Sequence, residues 1–402
     1  MELVSVDARS GTFQSQLATY EFDDGQLLQI HFTVAADICL PEAYDHFFIL
    51  GAAMAFVLGE DYDHPYPVCA GLAVNVRALI RQWCQWYPER REIALLAPAE
   101  ARKGATDRLK GAFFSGGIDS IFTCRKQGEA LGALISIAHV PDDERDIAHG
   151  FDRLRELKAF ADKTGRRHLH VATNLMEALP AFQNVWTVIS HGPALGAVAH
   201  FLASEISVAV ISSTHDYGHL LNWGSHPLTD PLVSSDAVEI SHFGAQFNRV
   251  EKTAAIKDDD IGLSVLSVCG KGRLEGPYVN CSLCQKCLRT MTTLDLVGVD
   301  PIIAKTFDWS AYSPDGFGDL LLRGNNEFLF AREIRDAARG KGREDIAAPV
   351  ERSIRRSSRS KFLANAEFYL RRRAPWVVRH KNKLIKLRSA VYTMFNIQRA
   401  KQ

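Results

Sequence analysis

The chain has 402 residues, carries 47 Lys+Arg against 47 Asp+Glu, and is formally neutral at pH 7. Its 47% hydrophobic and 23% charged content is that of an ordinary globular protein, which excludes wholesale disorder and a collagen-like repeat. The neutrality joins two unlike parts: residues 351–402 hold 15 Lys+Arg and only two acids, Glu351 and Glu367, so that segment is +13 and the first 350 residues are −13.

Such asymmetry points to an anionic partner or to a tail that docks on its own acidic body. At roughly 150 residues per domain the length predicts two or three domains. No apolar run reaches the roughly 18–20 residues that span a bilayer. The start, Met1-Glu2-Leu3-Val4-Ser5, has neither the basic residues nor the apolar stretch of a signal peptide, so a cytoplasmic location is expected. There the eight cysteines are reduced, and clustered ones indicate metal or catalysis rather than disulfides.

In chain order, Leu27 to Val34 is half-alternating and β-rich, a strand entered through an Asp24-Gly25 turn. His46 to Leu58 is apolar and Ala-rich, a helix. Leu72 to Tyr87 has a helical apolar period and stops at Pro88. Residues 1–104 therefore read as an α+β accessory domain. From 105 to 310, apolar runs at 111–114, 133–138, 168–172 and 206–211 alternate with helical stretches at 153–163 and 194–203. Continuous apolar strands separated by helices predict an α/β, doubly wound parallel sheet. Residues 311–402 read as a helical extension, with a helix at 327–339 ended by Gly340 and basic character from 351. Within it, Lys381 to Ile397 threads Leu384, Leu387, Val391 and Phe395 among cations at helical spacing, a basic amphipathic helix.

The strongest local signal follows the 111–114 run: Ser115-Gly116-Gly117-Ile118-Asp119-Ser120, then an apolar helix. Glycines let the backbone approach an oxyanion closely. Ser115 and Ser120 add hydroxyls, and the new helix points free N–H groups and its dipole at the anion. An acid inside a phosphate site needs a cation beside it, so Asp119 suggests Mg²⁺. Downstream, Cys269, Cys281, Cys284 and Cys287 form C-x₁₁-C-x₂-C-x₂-C, a closed four-thiolate set suited to structural Zn²⁺. A Cys₄ iron–sulfur cluster is the competing reading.

The Ser-Gly-Gly-x-Asp-Ser pattern resembles the loop of the PP-loop, or N-type, ATP pyrophosphatases. That resemblance implies ATP as cofactor, cleaved to AMP and pyrophosphate, with Ser115, Gly116, Gly117, Ile118, Asp119 and Ser120 around it. A PP-loop followed by a four-cysteine knuckle is similar to the 7-cyano-7-deazaguanine synthases of queuosine biosynthesis. On that likeness Lys252, on a helix before the first cysteine, would neutralise pyrophosphate. Ser115, Asp119 and Lys252 are then the catalytic candidates. The segment Ser212 to Tyr217, then Asn222 to Pro231 with its Trp223-Gly224-Ser225-His226-Pro227, is unlike those enzymes and resembles a related bacterial group of synthase-like proteins.

The implied reaction is AMP-forming ligation: a small-molecule carboxylate or amide oxygen is adenylated, and ammonia or an amine displaces AMP. Ser213, Trp223, His226 and Asp230, just past a predicted strand, are acceptor-binding candidates, with His191 at the start of the Ala-rich helix. Two other readings stand beside this one. One is an RNA-modifying PP-loop enzyme using the basic tail; the other is a nucleotide-binding module without turnover. The 351–402 tail admits RNA or an anionic membrane as partner, and a homodimer is left open.

Overall fold

The computed structural model describes residues 1–102, 107–139, 144–269 and 278–373, with side chains left undescribed at 139, 144–152, 177 and 359–373. In chain order the strands are β1 (Glu2–Arg9), β2 (Phe13–Glu21), β3 (Leu27–Ala35), β4 (Tyr62–Asp63), β5 (Val68–Cys69), β6 (Leu95–Leu96), β7 (Ala99–Glu100), β8 (Leu109–Phe113), β9 (Ala133–His139), β10 (Arg167–Thr173), β11 (Ile206–Ser212) and β12 (Glu239–Phe243). The helices are α1 (Asp45–Leu58), α2 (Ala70–Trp86), α3 (Ile118–Gln127), α4 (Glu144–Lys163), α5 (Leu175–Ala178), α6 (Pro180–Asn184), α7 (His191–Phe201), α8 (Arg249–Ala255), α9 (Asp260–Leu263), α10 (Gln285–Val297), α11 (Asn325–Gly340) and α12 (Glu344–Arg373). The predicted helix at 381–397 lies outside the described residues.

Ten strands form one sheet in the order β12-β11-β8-β9-β10-β3-β2-β1-β4-β6. From β12 to β10 every pairing is parallel, while β10–β3, β3–β2 and β2–β1 are antiparallel. The fold is thus α/β with a large, mostly parallel central sheet, compatible with the doubly wound expectation. The two kinds of strand differ in sequence for a physical reason. In β3, Leu28, Ile30, Phe32 and Val34 are buried and the residues between them are not, because only one face meets the core. In β9, Ala133, Leu134 and Ile135 are all buried, because both faces are covered.

Residues 1–104, expected to form a domain of their own, lie in one compact unit spanning Met1–Tyr312. β3 continues the parallel sheet through β10, with Ala172 opposite Thr33 and Thr173 opposite Phe32. Phe32 also packs on Phe201 of α7 at 5.2 Å and on Phe47 of α1 at 5.8 Å. The apolar face of the antiparallel meander is therefore buried both by α1 and by α7 of the parallel part, and one core serves both. Composition gives no sign of this, because the joint is a backbone pairing.

The second unit begins at Ser313. There α12 is held to the turn before α11 by Ser353 Oγ on the Leu320 carbonyl and by the Leu322 N–H on Ser357 Oγ. The first arginines of the basic segment are paired inside this unit: Arg352 with Asp315 at 2.7 Å, Arg355 with Glu351 at 2.8 Å, Arg356 with Asp319 at 3.4 Å. Among the described residues, no helix is long and apolar enough to cross a membrane.

Candidate functional site

Strand order locates the site. From β8 the chain steps to β9 and β10 in one direction, then returns so that β11 lies on the other side of β8. The loops leaving β8 and β11 diverge there, and such switch points form the ligand crevice of open parallel sheets. The loop after β8 is Phe114 to Gly117; the loop after β11 begins at Ser213.

The first loop is shaped by its glycines. Gly116 has φ +73°, where an added Cβ would also meet Arg153 Nη2 at 2.0 Å and the Val265 carbonyl at 2.8 Å. Gly117 is extended and starts α3, whose N-terminus has no side-chain cap. The uncapped N–H groups of that first turn face the loop, the arrangement that receives anions. Ser120 is spent on the loop itself, its Oγ donating to the Gly117 carbonyl at 3.0 Å, and Ile118 is a buried core residue. Arg153 donates to the Ser115 carbonyl at 2.5 Å.

Charge converges on Asp119 in the first turn of α3. Arg249 Nη2 lies 2.6 Å from its Oδ2, and Lys252 Nζ lies 3.6 Å from its Oδ1. Both cations come from α8, which is fixed at its start by a capping box between Asn248 and Glu251. Three residues apart, they share one helix face. Lys252 is only 1% exposed and donates to the Ser213 carbonyl at 2.6 Å, so it bridges the two crevice loops. A solvated surface lysine, the plain reading of a lone Lys, is excluded by that burial.

Of the acceptor candidates, two adjoin this cluster. Ser213 carries the carbonyl held by Lys252, and its hydroxyl donates to the His215 carbonyl. Trp223 stands edge-on to the buried His215 ring at 5.6 Å. Burial, with Arg249 close by, pushes His215 down to about 4, so it is neutral at pH 7. The other three belong to a second, buried group. Asp230 accepts from Ser225 Oγ at 2.7 Å, the His226 N–H at 3.0 Å and His242 of β12 at 2.7 Å, which fills its carboxylate with contacts of its own loop and of β12. His226 accepts from the Leu228 N–H at 3.0 Å and packs on Trp86 at 4.9 Å. His191 begins α7, packs on Trp186 at 5.6 Å and is held below its ordinary pKa by burial. These residues brace the loop that carries Trp223.

The four cysteines come together as their spacing predicts, with all ligand atoms within 4.8 Å of one another. Tetrahedral Zn²⁺ at Zn–S of about 2.3 Å places sulfurs about 3.8 Å apart. Cys281–Cys287 and Cys284–Cys287 sulfurs are 3.8 and 3.5 Å apart. The N–H of Cys281 reaches Cys269 Sγ at 3.2 Å and the N–H of Cys284 reaches Cys281 Sγ at 3.4 Å, the donors that thiolates need. The set could hold a metal ion such as zinc. Cys284 is drawn down to about 4, chiefly by the hydrogen bond it shares with Cys287, while burial raises Cys281. Asn280, buried, holds the knuckle by accepting from the N–H groups of Val268 and Cys269 and donating to the Leu266 and Thr306 carbonyls.

Arg249, His215, Arg153 and Asn280 were not among the sequence candidates. Only Arg249 left a legible trace, at helical spacing from Lys252. A separate cavity of about 440 Å³ at the ends of β1, β2 and β4 is lined by Glu2, Glu21, Asp23, Asp61 and Asp63. Five carboxylates repel a phosphate, so that cavity does not compete for the same ligand.

No family model matches the chain, and comparison with curated proteins and with solved structures gives no match.

Proposed function

We propose that the chain is a PP-loop-type, ATP-dependent enzyme that forms AMP and pyrophosphate while activating an acceptor oxygen. One observation carries the reading: the Ser115–Ser120 loop lies at the switch point of the parallel sheet with the buried Lys252 turned onto Asp119 beside it. The glycine loop and the α3 N-terminus would receive the β and γ phosphates, with Lys252 and Arg249 supplying counter-charge and Asp119 taking Mg²⁺. The buried Asp119 Oδ1, which makes no hydrogen bond among the described residues, fits such a cation.

A carboxylate or amide oxygen of the acceptor attacks the α phosphorus. The bond to the bridging oxygen breaks, and pyrophosphate leaves with the electron pair. An amine or ammonia then forms the C–N bond as the C–O bond to AMP breaks, and its surplus proton passes to solvent. Positioning and charge neutralisation by the loop, Lys252 and Arg249 do most of the work. Trp223 and Ser213, beside this cluster, would meet the acceptor, and the likeness to 7-cyano-7-deazaguanine synthases makes a heteroaromatic carboxylate the first acceptor class to try. The remainder of the +13 tail would serve as a handle for RNA or an anionic membrane.

The test is release of AMP and pyrophosphate from ATP across a panel of carboxylic acids with ammonium present. Turnover that disappears in Ser115→Ala and Asp119→Asn supports the reading. ATP hydrolysed only to ADP and phosphate, or no ATP binding at all, overturns it.

A further inference from the structure

The first turn of α3 favours an anion, yet it carries Asp119. A phosphate and a bare carboxylate cannot share that place, so Asp119 needs a cation whether or not a ligand is present. In this structure the need is met unequally. Oδ2 takes the short bond from Arg249 at 2.6 Å, while Oδ1 is buried, has no hydrogen bond among the described residues, and lies 3.6 Å from Lys252. Both members of the Arg249–Asp119 pair are mostly buried, 17% and 19% exposed, so bulk water screens them little. Lys252 is anchored by the Ser213 carbonyl, and the capping box fixes the backbone of the α8 first turn. Arg249 reaches Asp119 through a long side chain with several rotatable bonds, so its guanidinium can pass from one anion to a neighbouring one. A guanidinium is also suited to phosphate, which it can grip with two parallel hydrogen bonds.

We propose that Arg249 is an exchangeable counter-ion: it holds Asp119 in the ligand-free site and passes to the phosphates when a di- or triphosphate arrives with a divalent cation, which takes its place on the carboxylate. The proposal rests on the ATP reading above and deepens it. The site then binds phosphate and metal together: the incoming metal releases the arginine, and the incoming phosphate receives it. Arg249 is a ligand of the phosphates in this scheme and a competitor of the metal, two roles that substitution affects with opposite sign.

The experiment uses the full chain as wild type, Arg249→Gln and Asp119→Asn. Pyrophosphate binding is measured by calorimetry without added divalent metal. Mn²⁺ binding, followed by loss of its free-ion paramagnetic resonance signal, reports oxygen ligands in preference to thiolates. Arg249→Gln weakens metal-free pyrophosphate binding by about tenfold or more, the size of a lost charged hydrogen bond, and tightens Mn²⁺ by a similar factor. Asp119→Asn does the reverse, losing Mn²⁺ and tightening pyrophosphate. An Arg249→Gln protein that weakens both probes together has merely loosened the site, and one that changes neither shows no exchange; each result overturns the proposal. Wild-type protein that binds neither pyrophosphate nor ATP overturns the ATP reading and this proposal with it. Wild-type binding of ATP that Arg249→Gln leaves intact overturns the proposal alone.

Discussion

The backbone N–H of Ser267 donates to the carbonyl of Gly116 at 2.8 Å. This bond ties the stretch of chain leading into Cys269 directly to the positive-φ residue of the Ser115–Ser120 loop. Asn280 extends the link, holding Val268 and Cys269 while it holds Thr306 on the far side. The four-cysteine cluster and the loop are therefore neighbours in one hydrogen-bonded network, although more than 150 residues separate Gly116 from Cys269 in sequence.

Removing an ion bound by the four thiolates is expected to loosen the loop. Strong chelation, or Cys287→Ser at the buried ligand, should weaken pyrophosphate or ATP binding several-fold before the chain unfolds as a whole. Calorimetric affinity measured alongside metal content and thermal unfolding checks this. Nucleotide affinity that stays constant as metal content falls to zero would show that the link carries no energy.

Gly116→Ala is expected to be far more damaging than Gly298→Ala. Both positions have positive φ, +73° and +78°, where a Cβ costs about 1–2 kcal/mol. Gly298 has open space around it, whereas a Cβ at Gly116 meets the backbone carbonyl of Val265 at 2.8 Å. That clash adds about 1–3 kcal/mol and displaces the loop. Urea titration of the two variants should rank them in that order, and only the Gly116 variant should lose phosphate binding. Equal costs would mean the loop relaxes freely around the extra carbon.

Stability should fall as pH drops below neutrality. Burial depresses His46 well below its ordinary value, His64 to about 3, and His170 and His215 to about 4. Between about 6.5 and those values the unfolded chain binds protons that the folded chain refuses, so the stability present above pH 6.5 is lost progressively towards pH 4. His46 makes a clean probe. Its ring lies 4.1 Å from Phe47 and 5.4 Å from Phe201, and neither nitrogen has a hydrogen-bond partner among the described residues. His46→Phe should hold or raise the melting temperature at pH 7 and flatten its fall between pH 6.5 and 5. An unchanged pH slope would remove His46 from the acid-sensitive set.

The elements visible in the sequence were those whose cause is local. The glycine turn at 115–120, the cysteine spacing and the apolar runs of β8 to β11 each carry their own geometry. The strands β1 and β12 were missed, since Glu2–Arg9 and Glu239–Phe243 are short on apolar alternation and exist through their partners. The same limit hid the site's charge arrangement. Arg249 and Asp119 are 130 positions apart, and only the crossing of β11 beside β8 makes them a pair. Conversely, Asp230 and His226 looked like site residues because polar side chains clustered after a strand. Their hydrogen bonds are spent within that loop and on His242 of β12, which local sequence cannot reveal.

Lys252 separates the catalytic reading from plain nucleotide binding. Its ammonium is buried, bonded to the Ser213 carbonyl, and 3.6 Å from Asp119, and under the proposed reaction it would meet charge as that moves onto the leaving pyrophosphate. An interaction that strengthens as that charge develops lowers the barrier more than it tightens ground-state binding. Lys252→Met, which keeps the length and loses the charge, should therefore reduce the rate of pyrophosphate release by about 10²–10³-fold with a much smaller change in ATP affinity. Lys252→Arg should restore part of the rate, because the charge returns on a bulkier group within a tightly packed wall. The variant must be compared at matched folded fraction, since removing one member of a buried charge pair costs about 3–5 kcal/mol of stability. If Lys252→Met instead raises the ATP dissociation constant as much as it lowers the rate, the lysine acts in binding alone and the transition-state role is wrong.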